Sequence, residues 1–363
     1  MNKFFPSYQL YIEAQDGEII KLPEDYATDR EFACKFVVSQ TTTSTPQNAT
    51  INIYNLSDTN RKRLFFNWFD QVAVNKKVEL YAGYNEEKHL IFSGVQQEVS
   101  SYREGASLVT EIHGTALGFA INGYSINKEA DMGYNVTKSR TGELIFTETE
   151  SDTDQYIGRF EFEAGKSNPE ILGTLLSEFT DLQEAHGIEP DIECIIDDPV
   201  WENKVYNKPI TLVGNIIDLI KEYVPDNVNV WMDNNKLYIV STHLSLCKEK
   251  KRISSGVETA LAVSSQPVSN LDGIIVINPD TGLINTPRFY GQSMTLTTLF
   301  EPRVKCGMLV RIESVIQPEF NRDYKVCGVT HNCEMGFGTA GSNITTLTLV
   351  FPNSNFVDVG YIQ

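Results

Sequence analysis

The sequence has no apolar run near the roughly 18–20 residues that a helix needs to cross a bilayer. It has few cysteines, six in 363 residues, and none forms a CxxC pair. Cys34, Cys194, Cys247, Cys306, Cys327 and Cys333 are scattered, which speaks for free thiols rather than a disulfide framework or a zinc knuckle. Histidine is scarcer still, with five residues, and no HExxH or GxSxG is present. The short apolar patch at the start is broken by Pro6 and lacks the long apolar stretch of a signal peptide. The expectation is a protein that stays in the cytoplasm where it is made until it is assembled. Positive charge is also in deficit: 30 Lys and Arg stand against 48 Asp and Glu, a net charge of −18. That balance disfavours affinity-driven binding to nucleic acid.

What is present is the composition of a globular protein, with 41% hydrophobic and 10% aromatic residues. The length favours two or three domains. Charge is uneven. From Thr141 to Glu202 there are 17 acids against two bases, Arg159 and Lys166. The flanks are nearly neutral. The acidic segment reads either as a solvated face or as a wall that repels polyanions.

Residues 1–125 read as β-rich. Ile51 and Ile53 share one strand face within Ala49–Leu56, while Thr50, Asn52 and Tyr54 share the other. Ser57 is a candidate N-cap for a short helix from Thr59 to about Trp68. Strands are expected at Lys77–Tyr84, His89–Ser93, Val95–Tyr102 and Ser107–Gly114. Residues 126–245 change character to α+β. Ser167-Asn-Pro-Glu170 is a capping box that opens an amphipathic helix with Ile171, Leu172, Leu175, Leu176 and Phe179. A second helix is expected over Ile210–Tyr223, stopped by Pro225. A hairpin follows, Val228–Met232 and Lys236–Ser241, turning at Asp233-Asn234-Asn235. Cys247–Arg252 is a basic connector. Residues 250–352 are again all-β, with strands at Leu271–Ile277, Met294–Leu299, Met308–Ile316, Tyr324–Cys333 and Ile344–Phe351, and residues 353–363 form a tail.

Three places carry residue patterns that resemble chemical sites. Gly165-Lys166-Ser167 ends like a phosphate-binding loop, but Phe160 stands where that motif needs its first glycine. Cys327, Val329, His331 and Cys333 alternate along one strand, yet positions two apart lie roughly 7 Å from each other, so buried thiols on a core face explain them better than a metal. Glu161 and Glu163 share a face and read as solvated carboxylates rather than a glycosidase pair. No catalytic, cofactor-binding or metal residue is therefore assigned, and no enzymatic activity is expected. Tyr54, Tyr81, Tyr84, Phe289, Tyr290 and Phe300 are the candidate interface residues, because aromatic side chains anchor subunit contacts.

Several stretches together resemble one family. Ala49–Leu56 with its short helix, then Val78–Tyr84 and Leu90–Val95, look like the opening of phage tail baseplate hub proteins. Gly282–Pro287, Thr295–Pro302, Cys306–Val310 and Tyr324–His331 look like the second barrel of that family, and the 230–239 hairpin fits its middle. The resemblance implies a mainly β fold: two tube-like antiparallel β-barrel domains embracing a mixed α+β region. It further implies a homotrimer in the tail baseplate of a virion, assembled in the host cytoplasm. Two barrels per chain would imitate a sixfold ring, joining a hexameric tail tube to a trimeric central spike, initiating tube assembly and touching other baseplate proteins. DNA would pass through the ring without specific binding, and a contractile tail is the expected setting. An adaptor of a non-contractile tail shares that architecture. The alternative from another class is a carbohydrate-binding or glycan-degrading tail protein with β-sandwich modules.

Overall fold

The computed structural model describes residues 6–23, 33–42, 47–65, 76–84, 87–116, 134–138, 144–148, 158–185, 188–246, 274–336 and 341–352. The Cys247–Arg252 connector, the 353–363 tail and Trp68 lie outside them. The chain divides into two compact units: residues 1–117 with 231–234 and 242–363, and residues 118–230 with 235–241.

Among the described residues the first unit holds thirteen paired strands. Its N-terminal part supplies β1 (Pro6–Glu13), β2 (Ile19–Leu22), β3 (Cys34–Thr41), β4 (Asn48–Tyr54), β5 (Lys77–Tyr84), β6 (Glu87–Glu104) and β7 (Ser107–Ala116), with α1 (Asp58–Leu64) between β4 and β5. The strands form because apolar residues recur at every second position. In β3, Cys34, Phe36, Val38 and Gln40 are buried and their neighbours are not. Leu10, Ile12, Phe36, Ile51, Ile53, Leu80, Phe92 and Ile112 build the core of this half. Ser57 caps α1 by accepting from the Asn60 amide at 3.2 Å.

The C-terminal part supplies β15 (Ile275–Ile277), β16 (Arg288–Tyr290), β17 (Ser293–Leu299), β18 (Leu309–Ile312), β19 (Asp323–Met335) and β20 (Asn343–Val350). Met294, Leu296, Val310, Ile312, Tyr324, Val326, Leu347 and Leu349 are buried in it. The two parts are hydrogen-bonded into one sheet where β19 meets β3, from Gly328↔Thr41 to Met335↔Cys34.

The second unit contains β8 (Tyr134–Lys138) and β9 (Leu144–Glu148), which pair with each other, and β10 (Gly158–Phe162), which pairs with β12 (Ile210–Gly214). The helix α2 (Asn168–Ala185) buries Ile171, Leu172, Leu175, Phe179 and Leu182. Half of its capping box is formed: the Ser167 amide donates to Glu170 Oε2 at 2.8 Å, which holds that carboxyl below its usual range, while the Ser167 hydroxyl donates to the same oxygen at 3.0 Å. A short α3 (Pro199–Glu202) and α4 (Ile216–Tyr223) follow. The hairpin β13 (Val228–Asp233) and β14 (Lys236–Ser241) turns at Asn234, whose φ is +56°, and β14 pairs in parallel with β11 (Asp191–Ile195).

The mainly β architecture with an α+β middle holds, and five local expectations change. The short helix expected to run to about Trp68 ends at Leu64, because Phe65 takes extended backbone (ψ 130°). The helix expected from Ile210 begins only at Ile216. Thr211 and Val213 face outward on a strand, and Gly214 with the cap Asn215, which accepts from the Ile217 amide at 3.2 Å, resets the chain. The two strands expected around Gly94 are one strand of 18 residues. Gly94 does not break it, because the glycine leaves room for the Phe92 ring to lie across the sheet. The strand expected over Met308–Ile316 is only Leu309–Ile312, because side-chain bonds between Ser314 and Asn321 turn the chain there. The alternation of Cys327 with His331 is interrupted by a bulge between Val326 and Gly328.

Candidate interface at the sheet edges

The two parts of the first unit carry the same strand order. In the C-terminal part the hydrogen-bonded sequence runs β16, β17, β20, β19, β18, β15. In the N-terminal part it runs β3, β4, β7, β6, β5, β1. Position by position, β16 corresponds to β3, β17 to β4, β18 to β5, β19 to β6 and β20 to β7. The registers agree in detail. β4 and β17 are seven residues each. Lys77 opposes Val95 at the start of β5, and Leu309 opposes Lys325 at the start of β18. One residue further on, both long strands bulge, between Gln96 and Glu98 in β6 and between Val326 and Gly328 in β19. The first strands differ, since β1 runs antiparallel to β5 whereas β15 runs parallel to β18.

This duplication exposes two unlike edges. In β19, the stretch beyond the bulge is bonded to β20 on one side and to β3 on the other. In β6, the corresponding stretch, Glu98–Glu104, is bonded to β7 on one side, and no described strand covers the other. At the opposite end of the sheet, β16 is bonded only to β17 among the described strands. Unpaired edges of this kind present rows of free amides and carbonyls.

The six sequence-selected aromatics fall in different places. Tyr290 on β16 is the most open, 64% exposed. Phe289, its neighbour, is half-buried and lies 5.0 Å from Phe320 and 5.7 Å from Phe351, ring centre to ring centre. That stacking fixes the backbone of β16. Tyr54 donates to Glu104 Oε2 at 3.0 Å, so it meets the C-terminal end of β6; burial and then that carboxylate push its hydroxyl up to about 12. Tyr81 meets Tyr11 edge-on at 5.9 Å and donates to Glu79 at 3.4 Å. Tyr84 and Phe300 are buried, and Tyr84 donates to the Phe300 carbonyl at 2.8 Å. Tyr102, on the open stretch of β6 and 42% exposed, was not selected by sequence. Its only sequence signal is an aromatic at the exposed parity of a strand.

The candidate chemistry resolves into structure. His331 is buried edge-on to Phe300, its Nδ1 is 2.9 Å from Thr345 Oγ1, and burial pushes its pKa down to about 4. Cys333 is buried, and Cys327 donates from Sγ to the Thr348 carbonyl at 3.3 Å. Burial raises the Cys333 thiol well above its ordinary range, the reverse of what a thiolate ligand needs. Among the described residues no His, Cys, Asp and Glu group is placed to hold a metal ion. Glu161 and Glu163 are both exposed, and Arg159 donates to Glu161 at 3.0 Å. Gly165-Lys166-Ser167 leads into the capping box of α2, with Lys166 Nζ 3.2 Å from Glu170. No described helix is long and apolar enough to cross a membrane.

No protein-family model matches the chain, and no curated protein sequence matches it. Among solved structures, it is similar to the 43 kDa tail protein of prophage MuSo2 from Shewanella oneidensis, at 8% identity and a TM-score of 0.51, over 95% of this chain and 97% of that one. A tail protein from Neisseria meningitidis MC58 matches at 8% identity and a TM-score of 0.47, over 95% and 96% of the two chains. The E. coli c3393 protein, a component of the type VI secretion system with structural similarity to the T4 tail proteins gp27 and gp5, matches at 9% identity and 0.47, over 93% and 79%. At such identities the likeness carries the fold, and along nearly its whole length this chain has the fold of a phage tail protein.

Proposed function

We propose that the chain is the structural hub of a tail baseplate, a trimeric ring that joins a sixfold tail tube to a threefold central spike. The observation that carries this reading is the repeated strand order, β3-β4-β7-β6-β5-β1 and β16-β17-β20-β19-β18-β15, within one polypeptide. Three copies of a chain with two like halves offer six similar faces, while the ring itself keeps threefold symmetry. A body with both properties is what a tube and a spike of unequal symmetry need between them. The tail-protein fold supports a structural place in a tail.

The partners in this reading are other copies of the chain, the tube protein, the spike and neighbouring baseplate proteins. Tube growth starts on the sixfold face. DNA passes through the lumen, and the acidic 141–202 segment is assigned to keep it from adhering. The aromatic residues near the sheet edges, Tyr290 foremost, are assigned to subunit contacts. The reading calls for no cofactor and no catalysis.

Co-expression with candidate tube and spike proteins, followed by electron microscopy, tests the proposal. A threefold particle with a six-lobed rim, from which tubes extend, supports it. Tubes that grow equally well without this chain, or glycan binding with turnover by the isolated protein, would overturn it.

A further inference from the structure

We propose that the open edge of β6 in one copy pairs, antiparallel, with the edge of β16 in the next copy, and that this contact repeats between chains the β19–β3 pairing already made within one. The inference deepens the ring reading and rests on it. Its source is the correspondence of registers. Inside the chain, Thr330 opposes Ser39, His331 opposes Val38 and Asn332 opposes Val37. The equivalents follow from the ladders. β6 and β19 align at their bulges, so Ser100, Ser101 and Tyr102 stand where Thr330, His331 and Asn332 stand. β3 and β16 align through β4 and β17: Val37 faces Thr50 as Arg288 faces Thr295, and Ser39 faces Asn48 as Tyr290 faces Ser293. The predicted contact between copies is therefore Ser100 opposite Tyr290, Ser101 opposite Phe289, and Tyr102 opposite Arg288.

Two observations favour a second copy as the occupant, and a third bears on the strength of the contact. Among the described strands the chain carries one open edge of each kind, in the relation that it already joins internally. A contact that joins unlike edges repeats from copy to copy and leaves neither of these two edges unpaired once a ring closes. The side chains also match. Arg288 falls opposite Tyr102 and diagonal to Glu104, and all three are exposed. Glu104 occupies the place of Glu334, which inside the chain lies 3.1 Å from Lys35. Finally, the pairing strand is shorter. β16 has three residues where β3 has eight, so the contact between copies is weaker than the internal one and depends on concentration.

The test is disulfide capture in the full-length chain. Ser100→Cys with Tyr290→Cys, and independently Tyr102→Cys with Arg288→Cys, place thiols on facing positions. Ser101→Cys with Tyr290→Cys places them on opposite faces of the sheet and serves as control, and the wild type sets the background of its own cysteines. Mild oxidation of concentrated protein, followed by denaturing electrophoresis and mass measurement, reads the result. The expected outcome is bonds between copies for both facing pairs, at least tenfold above the control, saturating at a closed covalent trimer. Particles of three copies in which neither facing pair is captured would overturn the edge contact and leave the ring standing. Facing pairs captured only in open chains or dimers would support the edge contact and overturn the ring. Protein that stays monomeric and uncaptured at the highest concentration, with its unfolding transition intact, overturns both.

Discussion

Tyr84 and Phe300, 216 positions apart in the sequence, are joined by a 2.8 Å hydrogen bond from the Tyr84 hydroxyl to the Phe300 carbonyl, with their rings 6.0 Å apart. One belongs to β5 and the other follows β17, so the bond ties the N-terminal part of the first unit to its C-terminal part. Tyr84→Phe keeps the ring and leaves a buried carbonyl without its donor, at an expected cost of about 1–2 kcal/mol. Phe300→Ala removes a fully buried ring that also touches Phe36 and His331, at an expected cost of about 3–5 kcal/mol. Urea unfolding followed by tyrosine and tryptophan fluorescence ranks the two.

Stability should fall with acid through His331. Its folded pKa of about 4 lies below the ordinary 6.5, because burial disfavours the imidazolium. The unfolded chain therefore takes up a proton first. The stability that the neutral ring secures is complete above pH 6.5 and is lost as pH falls from there through 4, in all about 3 kcal/mol. His331→Gln keeps a partner for Thr345 but cannot titrate. Its unfolding free energy is expected to change less than that of the wild type between pH 7 and pH 4.5, and equal slopes would contradict the assignment.

Asn234 is a hairpin residue at φ +56° with three side-chain or backbone bonds: from the Ser93 amide at 2.7 Å, to Gln47 Oε1 at 3.1 Å and to Asp233 at 3.0 Å. Asn234→Gly retains the turn and removes the two side-chain bonds, which should cost about 1–3 kcal/mol. Asn234→Ala removes the same bonds and adds strain at a positive φ, so it should cost more. Thermal unfolding of the pair separates the hydrogen bonds from the backbone conformation.

Gly94 and Gly114 flank the Phe92 ring, and a Cβ on Gly114 would stand 2.9 Å from Phe92 Cε1. Gly94→Ala would press on the Thr115 carbonyl as well as on the ring, so it is expected to destabilise the first unit more than Gly114→Ala does. A larger loss at Gly114 would show that the ring, and not the backbone of β7, sets the spacing.

Local patterns were legible in the sequence and long-range pairings were not. The period-two burial of Ala49–Tyr54, the Glu170 carboxylate reaching back to the Ser167 amide and the Asn234 turn are written in neighbouring residues, and the structure contains each. The Ile210–Gly214 segment is ambiguous locally because isoleucine, leucine and valine suit either period; its partner Gly158–Phe162, some fifty residues earlier, decides for a strand. The β3–β19 ladder joins residues almost three hundred positions apart, which no local pattern encodes. The candidate edges were legible only in part. Phe289 and Tyr290 stood out as aromatics, but that β16 ends a sheet is a property of topology.

The most direct measurement is native mass spectrometry of the protein with the proposed spike partner, combined with symmetry from electron microscopy. The account predicts a complex holding three chains of 40.8 kDa each, with six similar lobes on its rim. Any other number of copies around the spike, or three copies whose N- and C-terminal halves do not alternate around the axis, would contradict it.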